Sequence, residues 1–424
     1  MPVADSAYSG SPELLRFDVP RNMTDVDHYG ALNIGIVTGS LSPAAGGLYE
    51  SVRLPANRMA AQGHRVTVYG QIDSQFAQSR TAWAVTDLKA YYPVGPSRFG
   101  YSPAMKRDLL TSEHDLVHLH GLWSYRSIAT FEWRKEKRRP TVVSPRGMLT
   151  NIALQESSIR KRIARLLYEE RNLCRANVIH ALNRAEAQEI RRIGYETPLA
   201  VIPNGIDVPL ASSISRIASR HGDGRKTLVF LGRLHPLKGV VQLLEGWRMA
   251  CASAKALKTD WQLVVAGWDD GGHLDRFKAI AHDLGISQDV TFPGPVYGEQ
   301  KIRLLRSCDA FILPSRNEGL PMSILEAWAY SIPTIMTAAC NLEDSFGHGA
   351  AIRVEPDSRS IGRVLADVLS DEDVLSETGR RGRNYVEINY AMDRILAEHK
   401  QLYSWLTTGG PRPDFVEAAP RALT

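Results

Sequence analysis

Two glutamates, Glu318 and Glu326, stand in a segment whose pattern could bring their carboxylates to either side of a bound anion. An apolar run, AFILP (310–314), leads to a Gly-Leu-Pro turn and then to the helix-like run MSILEAWAY, which predicts a strand, a tight loop and a helix. A helix N-terminus offers backbone N–H groups and a favourable dipole to a phosphate. We expect Glu318 on the loop and Glu326 about two turns into the helix. Read alone, the same spacing also fits two solvated surface charges.

A second cluster of charge follows the apolar run TLVFLG (227–232), where Arg233 and Lys238 flank a short loop before Gly239. Two cations near the C-terminal end of a strand suit a diphosphate. Arginine can bind phosphate oxygens through two N–H groups, and lysine supplies a compact point charge. An ordinary basic turn at a helix start is the alternative. The presence of both motifs in one half of the chain favours an anion site.

The segments GRLHPLKG (232–239) and EGLPMSILE (318–326) resemble the signature of the retaining glycosyltransferases of family 4, which have the GT-B fold. PNGID (203–207) and the Gly-Gly pair at 46–47 fit the same pattern, and the resemblance covers roughly residues 31–405. It implies an α/β protein of two doubly wound, Rossmann-like domains that face a central cleft. It also implies transfer of a sugar from a UDP- or GDP-linked donor to a hydroxyl of a glycan or lipid-linked glycan, in bacterial polysaccharide or lipopolysaccharide synthesis.

The resemblance and the local patterns together assign residues to the predicted site. Arg233 and Lys238 are expected to stabilise the leaving diphosphate, Glu318 to hold hydroxyls of the sugar, and Glu326 to hold the ribose. The predicted catalytic residues are His120, Arg233, Lys238 and Glu318. The predicted donor-binding residues are Gly46, Gly47, Arg233, Lys238, Glu318, Gly319, Leu320, Pro321, Met322 and Glu326.

Two histidines, His118 and His120, alternate in DLVHLHGLW (115–123), so they share one face of a predicted strand. His120 ends that strand, where ligands of open α/β sheets bind, and the resemblance implies that it contacts the transferred sugar. A zinc pair is the sharper alternative, but no third ligand lies nearby, so no metal site is predicted. We expect His118 to be a core residue.

Two further loops follow predicted strands of the first half. Arg146 in SPRGMLT (144–150) could meet a phosphate or sugar of the acceptor, and a structural role fits it equally well. In PNGID, Asn204 and Asp207 are interpreted as residues that cap or turn the chain rather than as part of the chemistry.

Bulk properties favour a two-domain globular enzyme. The chain has 424 residues, 44% hydrophobic and 23% charged, with a net charge of +5. It contains no apolar run of about 18 residues and no secretory signal pattern, so we expect it in the cytoplasm, with peripheral contact to the inner face of the plasma membrane as an open alternative. The cysteines Cys174, Cys251, Cys308 and Cys340 lack metal spacing and are interpreted as reduced, buried thiols. No cofactor and no obligatory metal are expected.

Short runs rich in valine and isoleucine predict parallel strands buried on both faces. The predicted strands cover 32–38, 64–70, 115–121, 140–147, 177–183, 199–205, 227–232, 261–267, 289–294, 310–315, 333–337 and 351–356. The predicted organisation is an N-terminal extension (1–30), an acceptor-side domain (31–205), a donor-side domain (206–383) with its linker near 206–224, a helix that crosses back (384–405) and a mobile tail (406–424).

A basic stretch at 159–177 carries Ile159, Ile163, Leu166, Leu167 and Leu173 at roughly helical spacing, with arginine and lysine between them. We expect an ordinary surface helix that packs these apolar residues inward. Contact with an anionic membrane is the alternative. Nucleic acid is not expected as a partner, because no recognisable binding motif is present.

Other activities remain open at this point. A nucleotide-sugar epimerase of the same architecture would need additional acid–base carboxylates in the cleft, and no distinct set is visible. A non-catalytic nucleotide-sugar-binding subunit fits less well, because the motifs are complete. A phosphorylase could use the same cleft with free phosphate. An NAD enzyme is disfavoured, since the Gly-Gly loop is not the dinucleotide-binding G-x-G-x-x-G.

Overall fold

The chain folds as strands and helices that alternate around two sheets, which confirms the predicted α/β class and its two doubly wound halves. The computed structural model describes residues 30–150, 153–154, 158–213 and 224–418. Apart from Gly30, the predicted extension at 1–30 therefore lies outside the described residues. The predicted linker near 206–224 is described only at its two ends.

The strands are short and mostly buried. In chain order they are β1 Asn33–Ser40, β2 Arg65–Gln71, β3 Asp87–Tyr91, β4 Leu116–His120, β5 Thr141–Ser144, β6 Val178–Ala181, β7 Leu199–Val201, β8 Lys226–Leu231, β9 Trp261–Ala266, β10 Val290–Gly294, β11 Ala310–Leu313, β12 Thr334–Met336, β13 Ile352–Arg353 and β14 Val416–Glu417.

Helices connect nearly all of these strands. They are α1 Gly47–Ala61, α2 Phe76–Ser79, α3 Pro103–Leu110, α4 Tyr125–Lys137, α5 Ser158–Ala164, α6 Glu170–Arg175, α7 Arg184–Arg192, α8 Val240–Ser253, α9 Lys255–Asp260, α10 Leu274–Asp283, α11 Gly298–Arg306, α12 Met322–Ala329, α13 Asp344–Gly347, α14 Ser358–Val368, α15 Glu372–Asn389 and α16 Met392–Thr408. One π-helical turn, Arg165–Glu169, joins α5 to α6. None of the helices in the described ranges combines the length and apolar character needed to cross a lipid bilayer.

Each sheet reverses its strand order once, which creates a crevice. Within the described residues the first sheet has the order β14-β7-β6-β5-β4-β1-β2-β3 and the second has the order β10-β9-β8-β11-β12-β13. Neighbouring strands are parallel except for the pair of β14 with β7. The order reverses between β1 and β4 and again between β8 and β11. Ligands of open α/β sheets bind beyond the strand ends at such points.

Every predicted strand overlaps an observed one, but two observed strands were missed. The strand β3 (DLKAY) lies at a sheet edge, and its charged residues hide the apolar pattern on which the prediction relied. The strand β14 lies in the predicted mobile tail, where Val416 is buried and pairs antiparallel with Ala200. The tail is therefore anchored through residue 417, and residues 419–424 lie outside the described part.

The predicted single helix at 384–405 is wrong. Two helices occupy this region: α15 ends at Asn389 and α16 begins at Met392. The break comes at Tyr390–Ala391, where Ala391 forms a bridge to Ile206. Beyond the break, Ile395 and the rest of the apolar face of α16 pack into the core of the first sheet.

The prediction that the basic stretch buries its apolar side chains is also wrong. Ile159, Ile163, Leu166 and Leu167 are 72, 52, 80 and 67% exposed, and only Leu173 is fully buried. The thiol prediction needs one correction as well, since Cys251, Cys308 and Cys340 are buried whereas Cys174 is exposed.

Candidate active site in the cleft between the two sheets

A cavity of about 470 Å³ lies where the two points of strand reversal face each other. The first half contributes the loops after β1 and β5 and the start of α1. The second half contributes the loops after β8, β9, β10 and β11, the helix α11 and the start of α12. Among the predicted site residues, those that line the cavity are Gly46, Gly47, Arg146, Arg233, Lys238, Glu318, Leu320, Pro321, Met322 and Glu326. Folding therefore gathers most of the predicted set in one place.

Two predicted residues, His120 and Gly319, do not line the cavity. The His120 side chain is buried behind Arg146. Gly319 lies where the two halves touch, because its carbonyl accepts a hydrogen bond from the Asn183 side chain at 2.7 Å. A Cβ on Gly147, in the first half, would stand 3.7 Å from the Gly319 Cα, so the two backbones nearly touch here.

Lys238 and Glu318 form one unit rather than two separate binding groups. The Lys238 Nζ lies 2.5 Å from Glu318 Oε1, and the two side chains are 13 and 9% exposed. Ser315 Oγ donates to the same carboxylate oxygen at 2.7 Å. The lysine, which follows β8, and the carboxylate, which follows β11, meet because these strands are neighbours in the sheet.

Glu326 is bonded to a lysine that the sequence did not single out. Lys301, on α11, donates to Glu326 Oε1 at 2.7 Å and lies 3.9 Å from Glu50 of the first half. Burial opposes the positive charge of Lys301, but the Glu326 and Glu50 carboxylates outweigh that effect and raise the pKa of the lysine. Glu326 is the fifth residue of α12, about one turn into the helix instead of the predicted two.

Arg233 is less enclosed than Lys238. Its guanidinium donates to Asp270 at 2.9 Å, and its side chain is 42% exposed at the edge of the cavity. Asp270 belongs to the loop after β9. The neighbouring Trp268 lines the cavity and faces the Gly-Gly loop, since a Cβ on Gly46 would lie 3.7 Å from the indole nitrogen.

The helix α12 begins at the cavity wall. Its N-cap position is Pro321, and no side chain caps the first turn. Met322 and Ser323, the first two residues of the helix, both line the cavity. An anion here can take the place of the missing cap, because the first N–H groups of a helix lack partners within the helix.

Two glycines of this region allow backbone approaches that a side chain would block. A Cβ on Gly239, which has a φ of 73°, would lie 2.2 Å from the Pro314 carbonyl oxygen. A Cβ on Gly267 would lie 1.7 Å from the Gly232 carbonyl oxygen. The loops after β8, β9 and β11 therefore reach the cleft side by side.

Arg146 connects the cavity to His120. Its guanidinium donates to His120 Nδ1 at 2.8 Å and to Asn204 Oδ1 at 2.6 Å. Because arginine has no acceptor, the proton of the neutral His120 ring is on Nε2. Asn204 is thus a tertiary partner of Arg146 rather than a turn residue, and Asp207 pairs with Arg58 at 2.7 Å.

A chain of neutral hydrogen bonds lies behind His120. The Ile202 carbonyl can only accept, so His180 donates to it from Nε2 at 2.7 Å, and His180 Nδ1 accepts from Ser144 at 2.8 Å. Ser144 then accepts from His118 Nε2 at 2.7 Å, and His118 Nδ1 accepts from the Tyr403 hydroxyl at 2.6 Å. In this arrangement each ring is neutral, with one nitrogen that donates and one that accepts. Burial, with the neighbouring charges, accordingly lowers the pKa values of both histidines well below their ordinary range.

The expectation that no third imidazole lies near His118 is wrong. His118, His180 and His399 can each offer a ring nitrogen such that the three atoms lie within 4.8 Å of one another. Both nitrogens of His118 and of His180 already have hydrogen-bond partners, however, so a metal ion would have to displace them. The cluster is accounted for as a polar network that fixes α16 to the first sheet.

The charges of the cavity lining nearly balance. They are Arg146, Arg233, Lys238 and Lys301 against Glu50, Glu318 and Glu326. Three of the cations already contact a carboxylate, so an anionic ligand must share or replace these partners. The site can therefore bind a diphosphate through its cations and the start of α12, and can bind hydroxyl groups through the same carboxylates.

Comparison with known families gives matches to both halves. Residues 46–205 match the family described as glycosyl transferase 4-like domain. Residues 213–385 match the family described as glycosyl transferases group 1. The two matches together span most of the chain.

Individual relatives are similar at modest identity. The D-inositol 3-phosphate glycosyltransferase of Saccharomonospora viridis is 25% identical over 406 residues, which cover 89% of this chain and 90% of the relative. The same enzyme of Geodermatophilus obscurus is 27% identical, and there the match spans 58% of its length. A GDP-mannose-dependent alpha-(1-6)-phosphatidylinositol monomannoside mannosyltransferase of Mycobacterium tuberculosis is 30% identical over 48% of this chain and 55% of its own.

Solved structures share the fold. HepE of Anabaena, solved in complex with UDP and glucose, matches with a TM-score of 0.73 at 17% identity, over 88% of this chain and 100% of HepE. WaaG, a glycosyltransferase involved in lipopolysaccharide biosynthesis, matches with a TM-score of 0.63 at 17% identity, over 89% of this chain and 100% of WaaG.

Proposed function

Because the chain belongs to the family 4 glycosyltransferases of GT-B fold, we propose that it transfers a sugar, with retention of configuration, from a nucleotide diphosphate sugar to a hydroxyl group of a glycan or lipid-linked glycan. The pathway we propose is the synthesis of a bacterial surface polysaccharide or lipopolysaccharide. Relatives use different nucleotides: the M. tuberculosis enzyme depends on GDP-mannose, and HepE was solved with UDP. UDP and GDP are therefore the two bases to test.

One observation carries the proposal: the cavity combines a helix N-terminus without a side-chain cap, two cations after β8 and two carboxylates eight residues apart. A sugar nucleotide presents the matching groups in the same order, with hydroxyls on both sides of a diphosphate. In this proposal the diphosphate lies against Arg233, Lys238 and the start of α12. Glu318 holds the sugar and Glu326 holds the ribose.

The proposed reaction breaks the bond between the anomeric carbon and the diphosphate oxygen and forms a bond from that carbon to the acceptor oxygen. Negative charge develops on the leaving diphosphate, where Lys238 and the first N–H groups of α12 stabilise it. Preorganised donors of this kind contribute roughly 2.7–4 kcal/mol each in a water-poor site. The acceptor proton passes to an oxygen of the leaving phosphate, on the same face of the sugar.

Arg146 and His120 act together in this proposal. Arg146 reaches the cavity, and the neutral His120 ring holds its guanidinium from behind. We therefore assign His120 as a residue that positions Arg146. The direct sugar contact implied by the resemblance remains a prediction.

The first half of the chain, which the proposal assigns to the acceptor, carries a surface suited to contact with membrane lipid. The exposed apolar side chains on α5 and the following π turn, Ile159, Ile163, Leu166 and Leu167, stand among basic residues of the same stretch. Such a segment can lie in the interface of an anionic membrane. A peripheral position at the inner membrane face, next to a lipid-linked acceptor, is part of the proposal.

Thermal unfolding of the purified protein with UDP, GDP or ADP, with and without EDTA, tests the donor site. A ligand at about 100 times its dissociation constant stabilises a protein by about 2.7 kcal/mol, which is a measurable rise of the midpoint. We expect one of UDP or GDP to raise the midpoint regardless of EDTA. A chain that none of the three nucleotides stabilises would contradict the donor-site assignment.

Product analysis then separates transfer from epimerisation. Release of nucleoside diphosphate that depends on an acceptor supports the transferase. An altered but intact donor would show the epimerase instead.

A further inference from the structure

A basic pocket lies in the first half, at the edge of the sheet where the strands begin, which is opposite to the edge that faces the cleft. It is a cavity of about 680 Å³ beside the starts of β5 and β6, whereas the cleft lies beyond the strand ends. Its cationic lining residues are Arg134, Lys135, Arg138, Arg139, Arg171 and Arg175. No carboxylate lines this basic pocket among the described residues, and it shares no lining residue with the cleft cavity.

Two helices, α4 and α6, position most of these cations. Arg134 and Lys135 are on the last turn of α4, and Arg138 follows as its cap with a left-handed φ of 53°. Arg171 and Arg175 are on α6. Arg139 is held by Glu113 at 3.3 Å, whereas the other five cations form no ion pair with a described carboxylate.

The partial negative charges of helix C-termini offset only part of this positive charge. The helices α4, α6 and α16 all end near the pocket, and α16 contributes Leu406 to its wall. A helix C-terminus carries about half a negative elementary charge, so three ends offset about 1.5 of the six positive charges. Glu113 is shared between Arg139 and Lys137, so it offsets at most one more. A substantial positive excess remains in a concave site.

Burial and a neighbouring positive charge already oppose the charge of one of these cations, Arg134. Burial, and then the charge of Arg175, lowers the pKa of Arg134. The Arg134 guanidinium nevertheless keeps a hydrogen bond to Asn177 Oδ1 at 3.3 Å, which fixes it at the pocket wall. A bound anion with several acceptor oxygens would relieve this repulsion, since guanidinium groups match phosphate geometry.

We propose that the basic pocket binds a phosphate group, either the headgroup of an anionic phospholipid or a soluble phosphate compound. The site is distinct from the donor diphosphate site and does not depend on the proposed function. Its position fits the lipid source, because α6 continues the helical stretch that carries the exposed Ile159, Ile163, Leu166 and Leu167.

The test compares wild type with the double variant Arg171→Gln/Arg175→Gln. Both side chains are exposed, so the variant is expected to fold. The matched control is Arg359→Gln/Arg363→Gln on α14, which removes the same charge from two exposed positions of the other half. Should the double variant unfold, Lys135→Gln probes the same pocket from α4.

Two probes distinguish the sources of the phosphate. Inorganic pyrophosphate is titrated calorimetrically at low salt, with and without saturating nucleotide to occupy the cleft. Vesicles of phosphatidylcholine, alone or mixed equally with phosphatidylglycerol, are tested by co-sedimentation. We expect the double variant to lose about tenfold in affinity for each charge-assisted hydrogen bond removed.

Each outcome decides the proposal. A loss only for pyrophosphate assigns a soluble phosphate, and a loss only for the vesicles that contain phosphatidylglycerol assigns a lipid headgroup. A loss for both supports a phosphate site open to either source. The proposal is overturned if the double variant binds both probes like wild type, or if the control pair loses affinity equally. If no nucleotide stabilises the protein in the thermal unfolding test, only the assignment of the donor site fails, because the basic pocket shares no lining residue with the cleft cavity.

Discussion

Replacing Glu318 by glutamine distinguishes the ion pair that Glu318 forms with Lys238 from the proposed contact of Glu318 with the sugar. The change keeps the shape of the side chain and an oxygen that can accept from Ser315, but it removes the charge opposite Lys238. Breaking a buried pair typically costs about 3–5 kcal/mol. Because the glutamine still accepts both hydrogen bonds, we expect the free energy of unfolding to fall by only about 2 kcal/mol.

The same change should affect binding and turnover in opposite directions. With its counter-charge gone, Lys238 can attract a nucleoside diphosphate at least as strongly, so the dissociation constant of the nucleotide should stay equal or fall. Turnover should drop, because a carboxylate bond to a sugar hydroxyl is worth about 1.5–3 kcal/mol, or roughly 10- to 150-fold in rate.

Calorimetry with the stabilising nucleotide and a nucleotide-release assay at saturating donor measure the two effects. The control is Glu372→Gln, which removes a carboxylate from an ion pair with Lys226 outside the cleft and should change neither. Unchanged turnover in Glu318→Gln would refute the assignment of Glu318 to the sugar. A nucleotide dissociation constant that rises as much as turnover falls would place Glu318 on the nucleotide instead.

Three further variants test the proposed ribose contact, the buried histidine cluster and the loop after β8. Glu326→Ala should weaken nucleotide binding by about 1.5–3 kcal/mol with little effect on turnover at saturating donor, and equal calorimetric affinity would contradict the ribose assignment. Burial lowers the pKa of His399 to about 4, so the folded ring stays neutral where the unfolded one, with a pKa near 6.5, takes up a proton. Stability should therefore fall between about pH 6.5 and pH 4, by about 3.4 kcal/mol from this group, and His399→Gln should lower the slope of unfolding free energy against pH by about 1.4 kcal/mol per unit. Gly239→Ala should cost more than the about 1–2 kcal/mol of a left-handed alanine, because its Cβ would meet the Pro314 oxygen, whereas Gly285→Ala, also at positive φ but in open space, should cost only that conformational term in urea unfolding.

Local patterns in the sequence were sufficient to predict the position of most strands and of the charged loops at their ends. Each predicted strand overlaps an observed one. A short run of valine and isoleucine favours the strand conformation through local interactions, so its prediction does not require knowledge of distant residues. The edge strand β3 and the tail strand β14 escaped prediction for the opposite reason. Their conformation comes from the neighbouring strand with which they pair.

The assembly of the candidate site from separate loops was predictable in outline, but the ion pairs within it were not. The sequence predicted Lys238 and Glu318 as separate ligands of phosphate and sugar, and in the structure they are bonded to each other across 80 residues of chain. Lys301 and Glu50 carried no local signal at all. Their positions in the cavity depend on which helices the fold brings to the cleft, and no spacing along the chain reports that.

The sequence by itself determined the alternation of strands and helices, the charged loops at strand ends and the family signature. Tertiary structure alone decided that Arg146 is held by His120, that four apolar side chains at 159–167 face outward, and that six cations form the basic pocket. The physical reason is the range of the interactions. Backbone conformation follows from neighbours within a turn or a strand, whereas burial, ion pairing and the pKa of a histidine depend on groups that only the folded chain brings within a few ångströms.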